Sequence, residues 1–259
     1  MTVGTRRRSG ARPQTAIAKV VAVLEALSDH DRLTGLSGAT GLPPSTVHRI
    51  LAELAEMGWV HVADRSYAPG PNLLSLVRRI DADAALARLA QDPVRRLSDR
   101  TGYTVHFAVL HGDAAIYAVK REGRRAYLMR SRVGDALALH CTAIGKAILS
   151  RMPDEQVRQI ASRTGLPAAT SATITEVDAL LEHLAEVRHR GWAMDDGENE
   201  DHTRCVGAAV LDESGRPLGG ISLSALDFDM SREVAIQMAE KVVSAAREVS
   251  AAAAGGRVL

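Results

Sequence analysis

Residues 34–57 hold two helical patterns separated by Gly41, Pro43 and Pro44, and that punctuation restricts the fold more than any other feature of the chain. The pattern from Thr34 to Thr40 presents Leu36 and Ala39 to an interior. Gly41 ends it, because a glycine accepts positive φ without a Cβ penalty. Pro43 and Pro44 open the next helix, since a proline in the first turn forfeits only an N–H that has no intrahelical partner. From Pro44 to Met57 the apolar residues Val47, Ile50, Leu51, Leu54 and Met57 recur at i, i+3, i+4, i+7 and i+10, one stripe of a helix. Ser45, Thr46 and Arg49 begin the opposite face. After Gly58, Trp59 to Val62 alternate as a strand. Asp64-Arg65-Ser66 turn the chain, and Tyr67-Ala68 start a return strand. Helix, turn, helix and hairpin in this order form a winged helix-turn-helix.

The second helix of such a unit enters the major groove with its N-terminal residues near base edges. Short hydroxyls at Ser45 and Thr46 allow close approach, and Arg49 can reach guanine O6/N7 or a phosphate. Glu53 and Glu56 would repel the backbone, so contacts concentrate in the first two turns. The DNA-reading residues expected are Ser45, Thr46, His48, Arg49 and, at the wing tip, Arg65. The alternative is an ordinary helix pair with a solvated Arg49. The position of the wing favours the reader.

The chain resembles the isocitrate lyase regulator (IclR) family of bacterial transcription factors. In this sequence the resemblance is carried by GLPPSTVHRIL followed by Gly58-Trp59-Val60 and the wing, and by SYAPGPNLLSL. It continues, in order, through PVRRLSDRTGYTVHFAVLHGDAAIYAV, RSRVGDALALHCTAIGKAIL, RGWAMDDGENEDHTRCVGAAV and GGISLSAL. It spans about residues 15 to 250. Many members of the family have a basic residue where Pro44 stands, which implies one phosphate contact fewer here.

The 259 residues carry 32 Lys and Arg against 31 Asp and Glu, so global charge does not mark a nucleic-acid protein. Basic charge is local: Arg6, Arg7, Arg8 and Arg12 form an arm (residues 1–13) that is either a solvated tail or a phosphate-contacting extension. Aromatic residues make up 3%, too few for base stacking along a single strand, so double-stranded DNA is the expected partner. No apolar run of about 18 residues marks a membrane span. The N-terminus lacks a signal core, and two cysteines make no disulfide framework, which favours the cytoplasm.

The expected fold class is α+β. A winged domain (residues 14–71), whose first helix runs from Thr15 to about Leu27 with Ile17, Val20, Val21 and Leu24 inward, is followed by a linker helix (72–89). That helix carries Leu73, Leu76, Val77, Ile80, Ala84 and Ala87 on one side, either a dimer seam or packing against its own chain. A second domain (90–255) mixes strands and helices as an antiparallel sheet flanked by helices. It opens with a helix from Pro93 to Arg100 and a hairpin of Tyr103–Val109 and Ala114–Val119 turning at Gly112-Asp113. Helices follow at 142–150, 153–163 and 175–189. Strands lie at 192–194, 205–211 and 218–225, and a helix from Ser231 to about Ala252 ends the domain. The resemblance implies that this domain is GAF-like and binds a small-molecule effector.

Four pieces of the second domain converge on a candidate pocket. The loop-to-helix junction from Leu139 to Lys146 aims helix N–H groups at its mouth. Ser222 and Ser224, two apart on one strand, share a face. Cys205 starts a neighbouring strand, and Asp195 can accept from a ligand hydroxyl. Met129 and Leu137 supply apolar walls. The resemblance implies that Met129, Leu137, Ala143, Ile144, Asp195, Cys205, Ser222 and Ser224 line the effector cavity. Other readings remain open: serines that cap sheet edges, an inert Cys205, a metal site from His140, Cys141, Asp195, His202 and Cys205 without pinning spacing, or a Cys141–His140 nucleophile and base. No GxGxxG or P-loop supports nucleotide chemistry, and no cofactor, metal or catalytic residue is expected. The expected protein is a regulator, a repressor by preference, that binds a palindromic operator as a homodimer or tetramer and responds to an organic-acid-like metabolite.

Overall fold

The computed structural model describes residues 15–124 and 130–255, the side chains of residues 77–81 excepted. The arm with Arg6, Arg7, Arg8 and Arg12, the side chain of Met129, and those of Val77 and Ile80 lie outside the described residues. The chain divides into two compact units between Ile80 and Asp81.

The first unit begins with α1 (Ala16–Ala26), α2 (Leu33–Thr40) and α3 (Pro44–Glu56), then β1 (Val60–Ala63) and β2 (Ser66–Pro69). Thr15 caps α1, its Oγ1 accepting from the Ala18 N–H at 3.1 Å. The buried stripe of α1 is not the expected one: Val23 and Leu27 are buried and Val20 and Leu24 pack beside them, whereas Ile17 and Val21 are exposed. The apolar run in AIAKVVAVLEAL is long enough to satisfy two overlapping helical stripes, and packing chooses between them. In α2, Leu36 is buried as expected but Ala39 is exposed, and Thr40 takes the interior place. Its hydroxyl is satisfied there by donating to Leu36 O at 2.7 Å. Gly41 stops α2 in the left-handed region at φ 66°. Val47, Ile50, Leu51 and Leu54 of α3 are buried, while Met57, at the helix end, is exposed.

β1 and β2 form a hairpin in register Val60↔Pro69 to Ala63↔Ser66, turning through Asp64 and Arg65 at φ 49° and 60°. Two successive left-handed residues match the right-handed twist of paired strands. The turn lacks glycine and is braced from outside. Arg32 Nη1 donates to Asp64 O at 3.1 Å, and the Tyr67 N–H donates to Asp31 O at 2.8 Å.

α4 (Pro71–Thr101) is one helix of 31 residues with Pro93 inside it, where a break between residues 89 and 93 was expected. An internal proline costs about 3 kcal/mol. It is tolerated because Leu86, Ala90, Val94 and Leu97 continue a single buried stripe on both sides of it. Ala84 lies off that stripe and is exposed.

The second unit is built on one antiparallel sheet ordered β5-β4-β3-β8-β7-β6. Its strands are β3 (Thr104–His111), β4 (Ala114–Arg121), β5 (Ala136–Leu137), β6 (Ala193–Asp196), β7 (Thr203–Leu211) and β8 (Pro217–Leu226). Alternation gives each strand two different faces. Val105, Phe107, Val206, Ile221 and Leu223 turn to one side, where they join Val94 of α4 and Val242 and Val249 of α8 (Arg232–Gly255) in the main core. The other side is covered by α5 (Ala143–Leu149), α6 (Asp154–Thr164) and α7 (Val177–Arg190). β5 has two residues, too short to leave a periodic signal.

Every residue of α5 is buried, and the helix lies close against the sheet. A Cβ on Gly207 of β7 would meet the backbone of Ala143 at 2.6 Å, closer than real Cβ contacts come. Gly207→Ala should therefore push α5 off the sheet and lower stability by about 1–3 kcal/mol, as overpacking a close-packed interior does. An unchanged midpoint in urea denaturation would show that the contact can relax.

Candidate functional site

The outward face of α3 is what its sequence pattern requires. Ser45, His48 and Arg49 are exposed and Thr46 is half-buried, because Val47, Ile50 and Leu51 anchor the opposite face. Arg49 Nη1 donates to Glu53 Oε1 at 3.0 Å, an i,i+4 pair with 71% and 58% of the side chains exposed. Such a pair is worth only a few tenths of a kcal/mol, so Glu53 positions Arg49 without holding it. The turn between the helices is fastened by Ser37 Oγ donating to Leu42 O at 2.6 Å. Arg65 is exposed at the hairpin tip.

In the second unit a cavity of about 440 Å³ opens on the α5 side of the sheet. Strand register explains its floor. Asp195, Cys205, Ser224 and Thr104 stand opposite one another across β6, β7, β8 and β3. A second row sets Gly207, Ser222 and His106 side by side. Both rows point away from the main core, so four strands present polar atoms to one space. Leu137 of β5 and the first turn of α5, with Ala143 and Ile144, form the facing wall. Thr142 shapes that turn: its Oγ1 accepts from the Gly145 N–H at 3.0 Å and donates to Ala138 O at 2.7 Å. Leu137, Ala143, Ile144, Asp195, Cys205, Ser222 and Ser224 thus all border one cavity. Ser222 and Ser224 sit in the interior of β8, between β3 and β7, not at a sheet edge.

His106, Tyr117, Ser131, Asn199 and Thr203 also border the cavity and were not anticipated. The signal for His106 was present. Thr104, His106 and Ala108 alternate with Val105, Phe107 and Val109, so a polar side chain on the face away from the main core was legible once that face had a use. His106 Nε2 lies 2.8 Å from Ser131 Oγ, and its ring is tilted against Tyr117 at 5.0 Å. Burial, assisted by Lys120, lowers its pKa to about 3, so the imidazole is neutral.

Asp195 is 2% exposed. Its Oδ1 accepts from the N–H groups of Glu198 at 2.8 Å and Asn199 at 3.3 Å. Burial raises its pKa to about 7 against the opposing effect of those bonds. Burial also raises the Cys205 thiol, which is hydrogen-bonded with Ser224, and takes Cys141 up to about 12. Burial thus favours the protonated form of both thiols, which counts against the nucleophile reading of Cys141. Its supposed base faces elsewhere, His140 Nε2 lying 3.0 Å from Pro167 O, while Cys141 Sγ lies 3.6 Å from Asn199 Oδ1. His202 is exposed beside Asp227. Among the described residues no group of three or more His, Cys, Asp or Glu is placed to hold a metal ion.

Behind the cavity wall, Lys146 of α5 is wholly buried and its Nζ is hydrogen-bonded to Glu198 Oε1. Thr173 Oγ1 donates to Glu198 O at 2.6 Å, and Thr170 Oγ1 donates to Gly197 O at 2.6 Å, fixing the turn that carries Glu198. Removing one member of a buried ion pair strands the other. Lys146→Met should therefore cost about 3–5 kcal/mol, and adding Glu198→Leu should restore much of it. Denaturant titration of the two single variants and the double would measure this, and equal losses that simply add would exclude a coupled pair.

Comparison with known proteins follows the same division of the chain. Residues 16–63 match the model of the IclR helix-turn-helix domain, and residues 81–251 match that of the bacterial transcriptional regulator IclR C-terminal domain. The chain is 32% identical over 241 residues to the HTH-type transcriptional regulator KdgR of Escherichia coli (strain K12), covering 92% of each protein. It is 31% identical over 229 residues to the transcriptional repressor IclR of the same organism, covering 87% of this chain and 84% of that one. The crystal structure of the Thermotoga maritima IclR superposes with a TM-score of 0.64 at 27% identity, over 91% of this chain and 97% of that chain. No described helix is long and apolar enough to cross a membrane.

Proposed function

Because the chain belongs to the IclR family of bacterial transcriptional regulators, we propose that Ser45, Thr46, His48 and Arg49 of α3 read base edges while Arg65 at the wing tip contacts a phosphate. Support comes from a single observation: Ser45, Thr46, His48 and Arg49 stand on the outward face of a helix whose other face is the core of its domain. Two copies then meet the halves of a palindromic operator, since a two-fold protein reads a two-fold site. The work is done in the cytoplasm, where the DNA is. Repression is the favoured mode, as in the relative named a repressor.

The cavity over β6, β7 and β8 is the effector site in this reading. Leu137, Ala143 and Ile144 give it an apolar side, and Asp195, Cys205, Ser222 and Ser224 a polar side. Met129, outside the described residues, is retained as a wall from the family resemblance. Paired hydroxyls beside a carboxyl suit a small hydroxylated or carboxylated metabolite. An effector shifts DNA binding by the difference in its affinity for two arrangements of the protein. Residues 72–89 of α4, unbroken into the second unit, are the covalent route for that shift. The protein acts by binding, and no chemical step is assigned to it.

An operator selected from random duplex DNA with the full chain provides the test. Arg49→Ala should weaken the selected site about tenfold to a hundredfold while leaving unrelated DNA nearly unaffected. Arg65→Ala should weaken both alike and reduce the salt slope by about one. Equal loss on all sequences with Arg49→Ala would move base reading elsewhere. Replacing Ser222 and Ser224 together by alanine should abolish the effector's influence and spare apo binding. Loss of apo binding would make those serines structural.

A further inference from the structure

The cavity borders carry an unbalanced set of charges. Among the described lining residues, Asp135, Asp195 and Glu200 face one guanidinium, that of Arg130. Arg130 is 86% exposed at the side chain and lies 3.5 Å from Glu200. Lys146, the nearby buried cation, is already bonded to Glu198. Lys120, whose Nζ donates to Ser131 O, is paired with Glu122. Among the described residues, Asp195 therefore offers an entering anion a buried carboxyl and no spare positive charge.

We propose that the cavity admits an effector carboxylate only together with a proton, and that Asp195 is the group that holds it. This rests on the effector reading of the cavity given above. Two carboxylates in a desolvated space cannot both ionise, and one proton shared between them resolves the conflict. The geometry favours Asp195 as the carrier. Its Oδ1 is occupied by the N–H groups of Glu198 and Asn199, which leaves Oδ2 to bear the proton and donate to the ligand carboxylate. A hydrogen bond from a neutral acid to a carboxylate is of the short, strong kind. The proton comes from solvent, so the charge entering the cavity sums to zero.

The groups packed around Asp195 do not compete for that proton. Glu198 on the following turn is raised by burial as well, but its Oε1 is hydrogen-bonded to Lys146 from α5, which favours its ionised form. Cys141 ahead of α5, Cys205 from β7 and Tyr117 from β4 face it as neutral groups, because burial raises all three. His106 from β3 is neutral as well. Asp195, held near 7 chiefly by burial, is bonded by two backbone N–H groups and, among the described residues, by no cation. Such a site binds an ionised carboxylate less well at alkaline pH, whatever the strength of the parent acid, because the proton that must be present is the one on Asp195.

Calorimetric titration of the full chain with lactate, gluconate and benzoate, at pH 6 and pH 8 in buffers of different ionisation enthalpy, tests this directly. The expected result is uptake of about one proton per carboxylate at pH 8 and affinity about tenfold weaker at pH 8 than at pH 6. Benzamide should take up none. Asp195→Asn, which keeps the Oδ1 acceptor, should abolish both the uptake and the pH dependence. Carboxylate binding without proton uptake and with equal affinity at both pH values would overturn the proposal while leaving the effector site intact. Absence of binding by every acid at either pH would remove the acid-effector reading, and the proposal with it.

Discussion

The contact between α5 and β7 is the constraint from which the second unit follows. A helix can lie with its backbone on a sheet only where a strand presents no side chain, and Gly207 supplies that position beneath Ala143 and Ile144. Close docking buries all of α5, so its one cation, Lys146, must find a carboxylate inside the protein and does so in Glu198. The turn that delivers Glu198 also delivers the two N–H groups that hold Asp195. Helix position, buried ion pair and cavity wall are thus consequences of one missing Cβ.

Polarity in the cavity follows from strand alternation in the same way. The face of β3, β7 and β8 that packs on α8 is apolar, and the reverse face carries His106, Cys205, Ser222 and Ser224. In a close-packed interior those polar groups would each need a partner. Grouped beside an open volume they can serve a ligand instead. Burial sets their protonation: thiols, phenol and imidazole are kept neutral, and Asp195 is brought to the point where either form is accessible. Such an arrangement suits reversible binding, since burial keeps the thiols of Cys141 and Cys205 in their unreactive protonated form.

The DNA-reading unit works on a simpler division. Its small core of Val23, Leu36, Val47, Leu51 and their neighbours consumes one face of each helix, so the outward face of α3 is left to solvent by necessity. Arg49 and Glu53 pair at the surface with little energy, so the guanidinium is free to exchange that partner for another.

Local rules in the sequence determined the elements themselves. Gly41, the Pro43–Pro44 pair, the stripe of α3, the hairpin around Asp64-Arg65 and most later helices and strands were legible because their signals act within a few residues. Ile17 and Val21 of α1, Ala39 of α2 and the break placed before Pro93 were misjudged because several local solutions were equally good. Packing decided among them: Val23 and Leu27 found the core, Thr40 bonded its own helix, and the stripe through Leu86, Ala90, Val94 and Leu97 carried the helix past the proline. The i, i+2 spacing placed Ser222 and Ser224 on one face, and chemistry together with family resemblance pointed to Asp195, Cys205 and Leu137 beside them. What brings them to one cavity is strand register, which joins positions up to 87 residues apart between Leu137 and Ser224. Only the tertiary structure could reveal the Lys146–Glu198 pair and the upward push of burial on the Asp195 carboxyl, because desolvation has no value until the surrounding chain is in place.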